Sequence, residues 1–226
     1  MDENLITALE REKVVTATFR RLGAAKKLKL YTAALGAFAA EGFDRVSLDV
    51  VAKKAGVSKG SLIQYFTVKE NLFHFTAAMT ADAFRDFSDK YFRKESEARC
   101  RPRLLGYLMA QYDFWMEREE RLKFYLRFFQ SYNTIVSEGA VSSLVEQMRG
   151  NVEAIISDGI NTGEIRRDVT IERIMLMVLA LQEGIMREIS YDLAGFDREA
   201  LYNSCRRIID LLFDGFGGER KIRTIS

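Results

Sequence analysis

The sequence is poor in the residue types from which most catalytic and metal centres are built. It holds one histidine, His74, and two cysteines, Cys100 and Cys205, among 226 residues. The cysteines lie far apart and form no C-x-x-C pair, so a zinc site is not expected, and reduced thiols in a cytoplasmic protein are. There is no phosphate-cradling glycine loop, and no nucleophile–base pair can be assembled around a single histidine. Catalytic residues, metal ligands and cofactors are therefore expected to be none; a carboxylate-only helical enzyme is the one catalytic alternative left. Proline is almost missing, with Pro102 the only one, so long unbroken helices are permitted throughout. The longest wholly apolar run, Ile174 to Leu181, is far too short to span a bilayer. The chain opens with Asp2 and Glu3 rather than with a basic segment before an apolar core, so no signal peptide is expected.

What is present is apolar and helical in pattern. Hydrophobic residues make up 48% of the chain, enough for a substantial core. The net charge is only +2, but it is unevenly spread: residues 1–75 hold 12 Lys/Arg and 8 Asp/Glu, a balance of +4, which leaves −2 for the rest. A basic N-terminal part ahead of a slightly acidic body fits nucleic-acid binding at one end. Apolar spacing of three and four predicts a short amphipathic helix within residues 1–25 on Leu5, Leu9, Val15, Phe19 and Leu22, then a helix from Lys26 to Gly42. The basic cluster Arg20, Arg21, Lys26, Lys27 and Lys29 has two readings. It is an arm laid along DNA, or it is a set of solvated lysines around an extra helix packed on the body.

Ser47 to Phe66, SLDVVAKKAGVSKGSLIQYF, is the most informative stretch. Ser47 sits at an N-cap position, with Asp49 in the first helical turn where the helix dipole favours a negative charge. Gly56 supplies the left-handed residue of a tight turn, and Ser58 caps a second helix from Lys59 to Phe66. Two short helices joined so closely form a helix-turn-helix, whose second helix lies in the major groove. On that helix Lys59 suits phosphate, Gly60 allows close approach, and Ser61 and Gln64 can hydrogen-bond to phosphate or base edges. Phe38, Leu48, Val51, Leu62 and Phe66 should centre the small core. An ordinary helical hairpin with a polar outer face has the same spacing.

Ala55 to Phe73, AGVSKGSLIQYFTVKENLF, resembles the signature of TetR-family transcriptional regulators, with the strong match confined to about residues 26–75. The matching positions are Ser47, Ala55-Gly56-Val57-Ser58, Gly60, Tyr65-Phe66 and Lys69-Glu70. The resemblance implies DNA contacts from Ser47, Ser58, Lys59, Gly60, Ser61, Gln64, Tyr65 and Lys69. Two positions depart from the pattern. Ile63 stands where the family usually has a phosphate-touching tyrosine, and Val68 replaces the usual cap of the next helix, for which Thr67 and Glu70 offer a capping box.

Beyond residue 75 the pattern predicts helices from Lys69 past Tyr91, from about Arg101-Pro102, through the aromatic-dense Lys123–Asn133, from Gly139 to Thr162, and over Ile171–Tyr191 and Asp197–Phe213. The fold class expected is all-α: residues 1–25 a helical extension, 26–75 the helix-turn-helix domain, and 76–226 a larger helical body. In the family such bodies bind a small effector and dimerise. Tyr112, Trp115, Met116, Tyr125, Phe128 and Phe129 could line an apolar pocket with Gln182 or Arg127 as polar anchor, although such a stripe can equally be plain core. The apolar stripes of the last two helices imply a homodimer through Met175, Val178, Ile185, Ile189, Leu201, Ile208 and Leu212. Gly184 either admits close helix approach there or is simply tolerated. The expected function is a cytoplasmic repressor released from a palindromic double-stranded DNA operator by a small hydrophobic effector. The alternative is a DNA-binding protein whose body docks a protein partner.

Overall fold

A computed structural model describes residues 2–94, 99–135, 138–191, 195 and 197–216, without the side chains at 90–94, 129–135, 138–148, 190 and 216. The described residues form eleven helices and no strand, so the all-α class holds. The helices are α1 (Glu3–Arg11), α2 (Ala17–Arg20), α3 (Ala24–Arg45), α4 (Leu48–Ala55), α5 (Lys59–Phe66), α6 (Lys69–Lys94), α7 (Cys100–Met116), α8 (Glu119–Ile135), α9 (Glu138–Asn161), α10 (Ile171–Tyr191) and α11 (Arg198–Phe216). Pro102 falls in the first turn of α7, where its missing N–H has no intrahelical partner to lose. Gly163, at φ +77°, follows α9 and ends it.

The chain divides into two compact units, residues 1–86 with 114–146, and residues 87–113 with 147–226. The first is organised around aromatic rings. Phe19 lies 4.9 Å from both Phe66 and Phe75, and Phe73 lies 5.0 Å from Phe38 and 5.6 Å from Phe124. Phe38, Val51, Leu62 and Phe66 are fully buried as expected, whereas Leu48 is only half-buried at the rim. Gly42 (φ +74°, ψ 168°) kinks α3, and Arg127 of α8 covers the kink, donating from Nε to Ala39 O at 2.8 Å and from Nη2 to Ala40 O at 2.9 Å. Arg127 is thus committed to α3 and is not a free anchor for a ligand. The second unit buries Leu104, Val152, Ile156, Ile174, Val178 and Ile189. Gly159 and Cys100 touch there so closely that a Cβ on the glycine would stand 2.7 Å from the Cys100 sulfur.

The N-terminal segment differs from the expected single helix. Lys13, at φ +61°, breaks it into α1 and α2, and Ile6, Leu9, Val14, Val15 and Phe19 are all buried. Lys27 is no solvated lysine either. It is 1% exposed, and its ammonium donates to the Glu3 carboxylate at 3.0 and 3.3 Å. A buried ammonium needs such a partner, because stripping its water without compensation is costly. The pair fastens α1 onto α3.

Candidate nucleic-acid interface

The helix-turn-helix forms through local capping chemistry. Ser47 Oγ accepts from the Asp49 N–H at 3.2 Å and starts α4. Gly56 adopts φ +69° and ψ 36°, the left-handed region where glycine has no Cβ penalty, and turns the chain. Ser58 Oγ accepts from the Ser61 N–H at 3.0 Å and starts α5. Val51, Ala52, Ala55, Leu62, Tyr65 and Phe66 face inward.

The outer face of α5 presents Lys59, Gly60, Ile63 and Gln64, with Ser61 half-buried beside them. Lys59 Nζ pairs with Asp49 Oδ2 at 2.7 Å, both groups solvated, so the ion pair is weak and easily exchanged for a phosphate. A Cβ on Gly60 would meet nothing nearer than Ser58 Oγ at 3.9 Å, so the fold itself does not require glycine there. Ile63 is 43% exposed, open to an apolar contact such as a thymine methyl.

Two residues expected at DNA lie elsewhere. Tyr65 is buried, its ring 6.2 Å from Phe19 and beneath the Lys26 ammonium at 5.7 Å. The i+3/i+4 geometry that puts Leu62 and Phe66 in the core carries Tyr65 with them. Lys69 turns back onto α3, donating to the carbonyls of Phe43 and Asp44 at 2.9 and 3.2 Å above the Phe43 ring. The capping box is also missing: among the described residues, neither the Thr67 nor the Glu70 side chain caps α6. Thr67 instead sits at φ +64°, ψ −56°, in a γ-turn closed by Val68 N–H to Phe66 O at 2.7 Å. Burial lowers the His74 pKa, opposed by Glu70, so the ring stays neutral near pH 7.

Residues 30–74 match the family model described as bacterial regulatory proteins, tetR family. The chain carries a TetR-family DNA-binding domain. It is a DNA-binding transcriptional regulator. A comparison with curated proteins finds no match. Among solved structures, the fatty acid degradation regulator FadR of Bacillus halodurans shares 15% identity at a TM-score of 0.70, over 84% of this chain and 96% of that one. The FadR of Bacillus subtilis, solved with stearoyl-CoA, shares 15% at 0.68, over 80% and 96%. The ketosteroid transcriptional regulator of Mycobacterium tuberculosis shares 17% at 0.60, over 88% and 98%. At these identities the likeness is one of fold.

The residues expected to line one pocket fall in both compact units. Trp115, Tyr125 and Phe128 are buried in the first unit, Trp115 with its ring 4.7 Å from Tyr125, and Phe128 5.8 Å from Phe73. Met116 is half-buried in that unit. Phe129 lies outside the residues whose side chains are described. Tyr112 and Gln182 belong to the second unit. Tyr112 is buried near Asp113, and its phenol pKa is raised by burial and then by that carboxylate. Gln182 is 1% exposed in a neutral polar cluster: Gln111 Nε2 donates to Tyr107 Oη at 2.6 Å, and Tyr107 donates to Gln182 Oε1 at a long 3.4 Å. Gln182 Nε2 has no partner among the described residues.

Of the residues expected at a dimer face, Met175, Val178, Ile189 and Leu201 are buried within the chain, Ile185 and Leu212 are half-buried, and Ile208 is exposed. The exposed apolar side chains of α10 and α11 are Leu176 and Leu211, both 71% exposed, with Met177, Tyr191, Tyr202 and Ile208. Apolar periodicity finds the inward stripe first, and the second, outward face was hidden in the same run of residues. Gly184 is exposed with nothing within 4 Å of a built Cβ. Among the described residues no cluster could hold a metal ion, and no helix is long and apolar enough to cross a membrane.

Proposed function

We propose that the chain is a dimeric repressor that occupies a palindromic operator and leaves it when a small, mostly apolar effector binds. Residues 26–75 read DNA, residues 1–25 extend that domain, and residues 76–226 bind effector and dimerise. The observation that carries the DNA reading is the outer face of α5. Lys59 and Gln64 are exposed beside a Gly60 that nothing in the fold demands, which is what a close backbone approach to DNA calls for. One such hairpin reads only a few base pairs, and two copies one helical turn of DNA apart (~34–36 Å) read a palindrome. The exposed apolar side chains of α10 and α11 supply a face for the second copy.

For the effector, the supporting observation is the Gln182 amide, whose Nε2 meets no acceptor among the described residues. A buried amide N–H left without an acceptor costs about 1–3 kcal/mol, and a ligand oxygen would satisfy it. The fitting molecule has a long or broad apolar body with a neutral hydrogen-bond acceptor, a class to which the steroid and acyl chemistry named for the fold relatives belongs. Release of DNA requires only that effector bind the DNA-free conformation more tightly.

The test is fluorescence anisotropy on the DNA directly upstream of the gene against a shuffled duplex, over a salt series. Tight, preferential upstream binding that small apolar compounds abolish is the expected result. Weak, equal binding that vanishes with salt would overturn the operator assignment. The same exposed face on α10 and α11 also suits a protein partner, and light scattering separates the readings: a dimer supports self-association, a monomer the partner.

A further inference from the structure

The exit of α5 leaves two carbonyls without helical partners. In a continuing helix the Val68 N–H would donate to Gln64 O; here it is spent on Phe66 O in the γ-turn at Thr67. The N-terminal segment supplies the missing donors from one residue. Thr16 Oγ1 donates to Gln64 O at 2.8 Å, and the Thr16 N–H donates to Tyr65 O at 3.0 Å. Around this clamp, Phe19 packs edge-on or tilted against Tyr65, Phe66 and Phe75, and Asn71 Nδ2 donates to Lys13 O at 3.1 Å. The segment is itself pinned at its far end by the buried Lys27–Glu3 pair.

We infer that residues 2–20 are a brace for the recognition helix, with Thr16 as a positioning residue for DNA reading. The residue whose backbone Thr16 holds is Gln64, the side chain placed to read a base. A positive-φ threonine is a strained conformation that persists only where its surroundings over-determine it. Thr16 provides that constraint, fixing the pitch and C-terminal end of α5 against α2. The segment thus acts on specificity from behind the helix, without touching DNA. This rests on the DNA-binding reading above.

The experiment begins by selecting a preferred duplex from a random DNA pool with the full-length wild-type protein. Affinities for that duplex and a shuffled one are then measured over a salt series for wild type, Thr16→Val, Thr16→Asp and Thr16→Ser, with hydrogen exchange at residues 63–68. Thr16→Val removes the donor to Gln64 O and the cap on the Phe19 N–H, Thr16→Asp keeps an acceptor for that cap but has nothing to donate, and Thr16→Ser keeps both. The preference for the selected duplex should fall roughly three- to tenfold in the valine and aspartate variants, the worth of one hydrogen bond. Exchange at 63–68 should quicken and serine should restore both; the valine variant should keep its shuffled-DNA affinity and salt slope. Wild-type preference and wild-type exchange in Thr16→Val and Thr16→Asp would overturn the brace. Equal loss on both duplexes with a flatter slope in Thr16→Val would overturn it too, in favour of a DNA-touching arm. Failure of wild type to select any duplex would sink the DNA reading, and the exchange data would still judge the brace.

Discussion

Gly159 and Cys100 occupy a space that admits no additional methyl group. A Cβ at 159 would stand 2.7 Å from Cys100 Sγ and 2.9 Å from both Cys100 Cβ and Ile165 Cδ1. Gly159→Ala should therefore destabilise the protein by about 1–3 kcal/mol, the usual cost of overpacking, read as a lower melting temperature by circular dichroism. The two thiols share a second property. Burial, then the Glu164 carboxylate, pushes Cys100 up to about 12, and burial pushes Cys205 up to about 11. A raised thiol pKa means little thiolate at pH 8, and the thiolate is the nucleophile. Neither cysteine should react with a disulfide reagent at pH 8 until denaturant is added; rapid native labelling would contradict this burial. The sparse, widely separated cysteines gave an expectation of reduced thiols, but nothing in the sequence pointed across 59 positions to the glycine that touches one of them.

At the scale of the element, legibility followed locality. Ser47, Gly56 and Ser58 do their work within four residues of themselves, so the hairpin could be read from spacing alone. The same local logic failed at Thr67, whose capping-box pattern with Glu70 is correct in sequence but whose backbone is consumed by a turn that tertiary packing imposes. Relief of that turn is measurable. Thr67→Gly removes the Cβ penalty at positive φ and should raise stability by roughly 0.5–1 kcal/mol, seen as a higher denaturant midpoint. On the recognition helix, Gln64→Ala should lose about 1–3 kcal/mol on the selected site and little on random DNA. Lys59→Ala should weaken both and flatten the salt slope. Anisotropy titrations distinguish the two patterns.

For the whole molecule, the helical class and most helix positions were legible because 3.6-residue periodicity persists with only one proline, set in a helix's first turn. Which apolar stripe is left outward was not, since α10 and α11 carry apolar residues both inward and outward and periodicity ranks neither. The two stripes predict opposite phenotypes. Leu176→Asp with Leu211→Asp should yield a folded monomer by sedimentation, with operator affinity greatly reduced by loss of the second half-site. Val178→Asp should instead unfold the protein, because it buries a charge without a partner.

Arg127 lends its guanidinium to the carbonyls of Ala39 and Ala40 from a helix that begins more than seventy residues later in the chain. Recombination between regulators, natural or engineered, that swaps DNA-reading heads at a joint near residue 75 would leave those carbonyls bare and Phe73 stripped of Phe124 and Phe128. A transplantable head of this protein has to bring α8 with it, so its specificity is inherited from two separated stretches of the gene.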